Sequence, residues 1–339
     1  MQVVTEELEQ PWSMAILPNS DMLITEKQGA LKLLKNGKLH DVSGVPEVYS
    51  VGQGGLLDIK LAPDFSDTRK IFFSYATGNS DENALRVASA VLDNESAAPK
   101  LSEVSVILTV SPFKDTPVHY GGRMSFLPDG SVVVTSGDGF DYREKAQVKQ
   151  SMLGKVLRVN QDGSTPADNP FFTEENASKE IYSLGHRNPQ ALLFDAHRNR
   201  LVAHEHGPAG GDEINIIEPG KNYGWPVITN GKDYSGANIS PVREYPGMEQ
   251  PFVDWTPSIA PSDMIVYTGE LFPELQHDYL VTTLKSRALL WVDLTGNDVV
   301  GQTNLLTGLE ERFRGIQQDK NGYIYLLTDS GKLLKLGKK

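Results

Sequence analysis

Short apolar runs punctuated by turn-forming residues recur along the chain. A cluster of Pro, Asp, Asn or Gly is followed by a β-branched or aromatic stretch in six places: residues 16–27, 61–76, 126–138, 194–207, 271–285 and 317–329. Each instance reads as a turn and then a strand. A second strand-like stretch follows in GALKLLKNGKL, SRALLWVDLTGN and SGKLLKLGKK, which extends the pattern into an antiparallel meander. The repeats begin roughly 45 to 75 residues apart, enough for four strands and their loops. Radial repetition explains that spacing better than a sandwich does, and it predicts an all-β chain. The expected architecture is a six-bladed β-propeller of four-stranded antiparallel blades, forming a single domain over residues 1–339. Helical character is confined to the start of residues 144–159, which soon become β-rich.

Composition narrows the function. The chain has 339 residues with 32 basic and 44 acidic side chains, a formal charge of −12. Binding of nucleic acid across the whole surface is therefore excluded, while a local basic pocket is not. No apolar run approaches the roughly 18 residues that a membrane span requires. The absence of cysteine removes disulfides, thiolate catalysis and cysteine-ligated metals. The opening MQVVTEELEQPW lacks a basic segment leading into an apolar one, as in a cytoplasmic protein or a mature form after signal removal.

Propellers bind ligands at one channel mouth, so polar groups flanking the repeats draw attention. Gln53 lies among Gly52, Gly54 and Gly55, either a surface turn or an amide that both donates and accepts. His119 precedes a double glycine at the same offset from its repeat, so the two share a radial position. Its imidazole suits a general base near neutral pH, with a structural histidine as the competing reading. Arg187 and Asn188 precede Pro189 and present a cation and an amide. His186, His204 and His206 evoke zinc but lack a zinc-ligand spacing. GPAGGDEIN, with Asp212 and Glu213, offers oxygen donors that suit calcium or else forms a solvated acidic turn. Lys285, Arg287, Arg312 and Arg314 flank the last repeats; they form a pocket for a polyanionic small ligand, unless Glu310 and Glu311 neutralise the arginine pair.

In order, GQGGLLD, HYGGR, GHRNPQ, HGP with DEIN, NYGWP, SIAPS, TLK and RFRG resemble the soluble pyrroloquinoline-quinone-dependent glucose and aldose sugar dehydrogenases, from about Pro11 to Leu336. The short loops are similar to the aldose sugar dehydrogenase branch. The resemblance implies His119 as catalytic base toward the anomeric hydroxyl, and Gln53, Arg187, Asn188, Ser258, Lys285, Arg312 and Arg314 as cofactor contacts. It implies Gly207 and Pro208 as carbonyl donors to a cofactor-bridging calcium, and Glu213 and Tyr223 at a structural calcium, with Asp233 as a further ligand. Implied partners are aldose sugars and an external electron acceptor. The protein is expected to be a monomer or homodimer, periplasmic or secreted in mature form. The family's glucose dehydrogenases carry an aspartate immediately before the catalytic histidine, where this chain has Val118. The rival readings are a calcium-dependent propeller lactonase or other hydrolase, which needs carboxylate and amide ligands in the channel, and a non-catalytic propeller binding module, which needs no cofactor cations.

Overall fold

The computed structural model describes residues 1–96 and 98–338. Its strands form six four-stranded antiparallel sheets arranged as a six-bladed propeller. The innermost strands, Pro11–Ile16, Leu56–Leu61, Gly121–Phe126, Pro189–Asp195, Pro261–Val266 and Phe313–Gln318, touch one another in sequence around the central channel. Each repeat seen in the sequence is the turn after an inner strand together with the second strand of that blade. Second strands such as Met22–Glu26, Val132–Ser136, Tyr279–Thr283 and Ile324–Thr328 are buried at every position, because neighbouring blades cover both faces. That is why they read as continuous apolar runs instead of alternating ones. Outer strands such as Asp298–Leu305 are largely exposed.

The last blade is closed by the N-terminal strand Gln2–Thr5, which pairs with Leu333–Leu336 at the outer edge of the sheet. This closure joins both ends of the chain in one sheet. The expected helical start at residue 144 is a single 3-10 turn, Arg143–Gln147, ahead of strand Lys155–Val159.

One irregularity recurs in all six blades. Pairing between the first and second strands slips near the start of every inner strand: at Pro11/Ser13, Leu56/Ile59, Gly121/Met124, Pro189/Ala191, Pro261/Asp263 and Phe313/Gly315. Bulges of this kind re-aim side chains. Here Trp12, Leu57, Gln190 and Arg314 line a channel-mouth cavity, and Arg123 closes the channel within the core. The Arg123 guanidinium donates to the carbonyls of Gln190 and Ser262 at 2.8 Å each, faces Asp58 and Asp263 at 3.4 Å, and lies 3.9 Å from the centre of the Trp12 ring.

Candidate active site

Antiparallel pairing places the starts of the inner strands beside the ends of the second strands: Pro11 faces Glu26, Gly121 faces Ser136, Pro189 faces Glu205 and Phe313 faces Thr328. Polar residues at those ends therefore gather at one mouth of the channel. The mouth holds a cavity of about 570 Å³, within the usual range for small-molecule sites. Its wall includes Gln53, Asn188, Arg312 and Arg314, all expected at a ligand site, together with Lys27 and Asp329.

The cations are not neutralised by Glu310 and Glu311. Asp329 takes that role, accepting from Arg312 Nε at 2.8 Å and from Arg314 Nε and Nη2 at 2.8 and 3.2 Å, while Glu311 pairs with Lys332 at 2.8 Å. Burial works against the Asp329 carboxylate, and the two arginines outweigh it and hold its pKa below the usual range. Burial and the Arg314 charge lower the Lys27 amine. Three cations thus share one carboxylate at this wall, a local positive excess in an acidic chain. Lys285 is exposed one residue beyond the cavity-lining Leu284.

His119 sits behind this wall in a smaller cavity of about 70 Å³ bounded by Asp138, Phe140, Arg187, Trp225 and Tyr234. Its backbone is left-handed, with φ at 52°, and its N–H donates to Gln53 Oε1 at 2.9 Å, so the two repeat-equivalent residues meet directly. A Cβ on Gly137 would lie 2.1 Å from the His119 carbonyl oxygen, so glycine is required for the two loops to approach.

Position 118 is a valine, and an aspartate from another loop stands at the imidazole. Asp138 Oδ1 lies 2.7 Å from His119 Nδ1 and accepts from the Phe140 N–H at 2.8 Å, and Oδ2 accepts from Trp225 Nε1 at 2.7 Å. The carboxylate fixes the Nδ1–H tautomer and leaves Nε2 as proton acceptor. Burial lowers the His119 pKa and Asp138 raises it, while Arg187 and Lys114 add to the lowering; the net result is an imidazole that is neutral at pH 7.

The remaining predicted residues form a supporting layer. Arg187 donates to the carbonyls of His206 and Gly207 at 3.1 and 2.7 Å and stacks near Trp225. Asn188 Oδ1 accepts from the Gly121 N–H at 3.2 Å. Ser258 Oγ donates to Asp212 Oδ2 at 2.6 Å, so its hydroxyl is committed to that carboxylate. The Tyr223 hydroxyl donates to the Ile216 carbonyl at 2.6 Å. Asp233 lines the mouth of the His119 cavity beside Tyr234.

The three histidines do not converge. His186 bonds Glu205 and Ser183, His206 Nε2 donates to the Pro261 carbonyl at 2.6 Å, and His204 is fully buried with neither ring nitrogen partnered. Among the described residues no group of three His, Cys, Asp or Glu side chains is arranged to hold a metal, so zinc finds no support. Glu205, Glu213 and Asp254 are direct cross-strand neighbours, so their carboxyl groups crowd one another. Burial and then the Glu205 charge push the Glu213 carboxyl well above its ordinary pKa, with one Asn215 amide in compensation at 2.8 Å.

Lys27, Asp138, Trp225 and Asp329 were not singled out in the sequence. A signal existed for two of them: the second-strand phrases VVVTSGD and YIYLLTD both end in aspartate, at Asp138 and Asp329. Comparing those ends would have placed both at the channel mouth.

Fold and site define a propeller whose channel mouth joins a carboxylate-backed imidazole to a cavity walled by cations. The glucose/sorbosone dehydrogenase family profile matches residues 8–335. The aldose sugar dehydrogenase YliI of Escherichia coli is 38% identical, with 99% of this chain and 92% of that protein covered. A crystal structure of a glucose dehydrogenase superposes with a TM-score of 0.96 at 38% identity, covering 100% of this chain and 99% of the other. The aldose sugar dehydrogenase of Streptomyces coelicolor, in its PQQ-bound form, gives 0.82 at 27% identity over 99% and 96% of the two chains. The chain belongs to the glucose/sorbosone dehydrogenase family and is an oxidoreductase.

Proposed function

We propose that this protein oxidises aldose sugars at the anomeric carbon to lactones, using pyrroloquinoline quinone as cofactor and passing electrons to an external acceptor. The observation that carries this reading is the adjacency of the His119–Asp138 pair to a cavity walled by Lys27, Arg312 and Arg314. A tricarboxylate fits that wall, because Arg312 and Arg314 retain donors beyond those given to Asp329 and because three cations face one fixed anion. Gln53 and Asn188 would contact the same ligand through their remaining amide hydrogens.

Bound in the cavity, the quinone supplies the hydride acceptor. The protein's own part is proton transfer. His119 Nε2 removes the proton of the anomeric hydroxyl as the C1–O bond becomes a carbonyl. Asp138 stabilises the resulting imidazolium and Trp225 holds Asp138 in place. Arg187, buried beside the imidazole, puts a fixed positive charge where the oxidant's oxygens would gain negative charge. Calcium is part of the proposal: the Gly207 and Pro208 carbonyls would hold one ion at the cofactor, with Arg187 releasing the Gly207 carbonyl it bonds here, and Glu213 and Tyr223 would hold a second, structural ion. A periplasmic or secreted location belongs to the same proposal and is tested by fractionation.

The experiment is reconstitution of the apoprotein with pyrroloquinoline quinone and calcium, followed by dye reduction with a panel of aldoses. Quinone- and sugar-dependent reduction supports the reading. Lactone hydrolysis without quinone would replace it with the hydrolase alternative.

A further inference from the structure

Directly behind the His119–Asp138 pair lies a buried amine that the reaction outlined above does not use. Lys114, 3% exposed, donates from Nζ to Asn83 Oδ1 at 3.0 Å and to the Thr116 carbonyl, and stands 3.6 Å from the centre of the Tyr120 ring. Tyr120 follows His119 in the chain and donates its hydroxyl to the same Asn83 oxygen at 2.6 Å. On the other side, the Lys114 stem packs so closely on Gly139 that a Cβ there would lie 2.7 Å from Lys114 Cδ. Thr116 Oγ1 donates to the Gly139 carbonyl at 2.6 Å. Gly139 adjoins Asp138. One side chain therefore touches the chain neighbour of the base and the chain neighbour of its carboxylate, while Lys114 and His119 border the same small enclosed space.

We propose that Lys114 is a positioning residue for the dyad, an ammonium that clamps the two loops together and whose charge acts on the imidazole from behind. The proposal deepens the dehydrogenase reading and rests on it only for the effect on turnover.

Burial lowers the Lys114 amine to about 7, against the pull of Asp138 and Asp115. The charges facing His119 are Asp138, Arg187 and Lys114, with His206 nearby and Asp141, Arg143 and Asp233 at the cavity mouth beside Tyr234. Of these, Arg187 and Lys114 oppose protonation of the imidazole, and only Lys114 loses its charge near neutrality. Below pH 7 its charge adds to the effects that disfavour protonation of His119. Above pH 7 the amine becomes neutral and the imidazole becomes the more basic acceptor.

Lys114→Gln retains polar donors at similar length and removes the charge; Lys114→Arg retains the charge. The first readout is the NMR titration of the His119 imidazole in the apoprotein, which needs neither cofactor nor turnover. The Gln variant should titrate about half a unit to one unit higher than the wild type, the scale of one removed charge at short range, and the Arg variant should not. In the reconstituted enzyme, the acidic limb of kcat/KM should move upward by the same amount for Gln only. An unmoved His119 titration in a folded Gln variant, or equal shifts for Gln and Arg, would overturn the proposal. A wild type inactive toward all aldoses would overturn the dehydrogenase reading and leave the NMR result standing.

Discussion

Replacing Asp138 with asparagine separates orientation of the base from its charge. The wild-type carboxylate accepts three hydrogen bonds, from His119 Nδ1 and the Phe140 N–H on one oxygen and from Trp225 Nε1 on the other, all between 2.7 and 2.8 Å. An asparagine has one acceptor oxygen and one NH₂. If the oxygen faces His119, the NH₂ meets the Trp225 N–H and a buried donor is left unpaired, costing about 1–3 kcal/mol of stability. If the oxygen faces Trp225, the NH₂ meets Nδ1 and drives the ring proton to Nε2, where the base can no longer accept. Either way the fixed negative charge that stabilises the imidazolium is gone. Turnover should fall by about 10²–10⁴, the span of general-base contributions, with quinone affinity nearly unchanged. The sign in pH is also determined: Asp138 raises the His119 pKa, so its removal moves the acidic limb of kcat/KM to lower pH. That shift is opposite to the one expected for Lys114→Gln. Stopped-flow reduction at saturating sugar, with a parallel thermal melt, measures both effects. Turnover within about threefold of wild type in a folded Asp138→Asn protein would show that the 2.7 Å contact has no catalytic role.

Arg314→Ala should weaken quinone binding about ten- to a hundredfold, or about 1.4–3 kcal/mol, as read by titration of the apoprotein; Arg312 still balances Asp329, which keeps the loss at the lower end for a truncated charge pair. Chelation of the holoprotein should abolish quinone reconstitution and lower the melting temperature, with calcium and not zinc restoring both. Lys155, fully buried with its ammonium donating to the carbonyls of Lys145, Ala146 and Leu153, should cost about 3 kcal/mol in urea denaturation when changed to Met. Burial lowers its amine to about 7, so between pH 7 and roughly 10 the unfolded chain binds the extra proton and stability rises with pH; Lys155→Met should flatten that rise.

The propeller was legible because the second strands are covered on both faces and so carry several apolar residues in succession after a turn, six times over. Gln53 and His119 were legible through their shared offset, which their hydrogen bond reproduces. What escaped were partners brought together by the pairing of first and second strands within a blade. Nothing local to Arg314 identifies Asp329 over the nearer Glu310 and Glu311, because strand pairing aims Glu311 at Lys332 instead. Asp138 was overlooked in favour of the position next to His119, although a contact 19 residues away in sequence serves the imidazole as well as an adjacent one would. Ser258, expected as a cofactor contact, gives its hydroxyl to Asp212, and the Tyr223 hydroxyl donates to the Ile216 carbonyl; neither partner could be read from the local sequence.

The sheet that carries Arg312, Arg314 and Asp329 is completed by residues from the very start of the chain. During synthesis the first strand must wait, unpaired, through the production of more than three hundred residues before its partner emerges. The cavity walled by Lys27, Arg312 and Arg314 is incomplete in any nascent fragment, since two of its three cations arrive with the last blade. On the proposed function, loading would then need the finished ring, and ligand retention becomes a test of ring integrity: a clipped amino terminus should release the cofactor before it unfolds the other five blades.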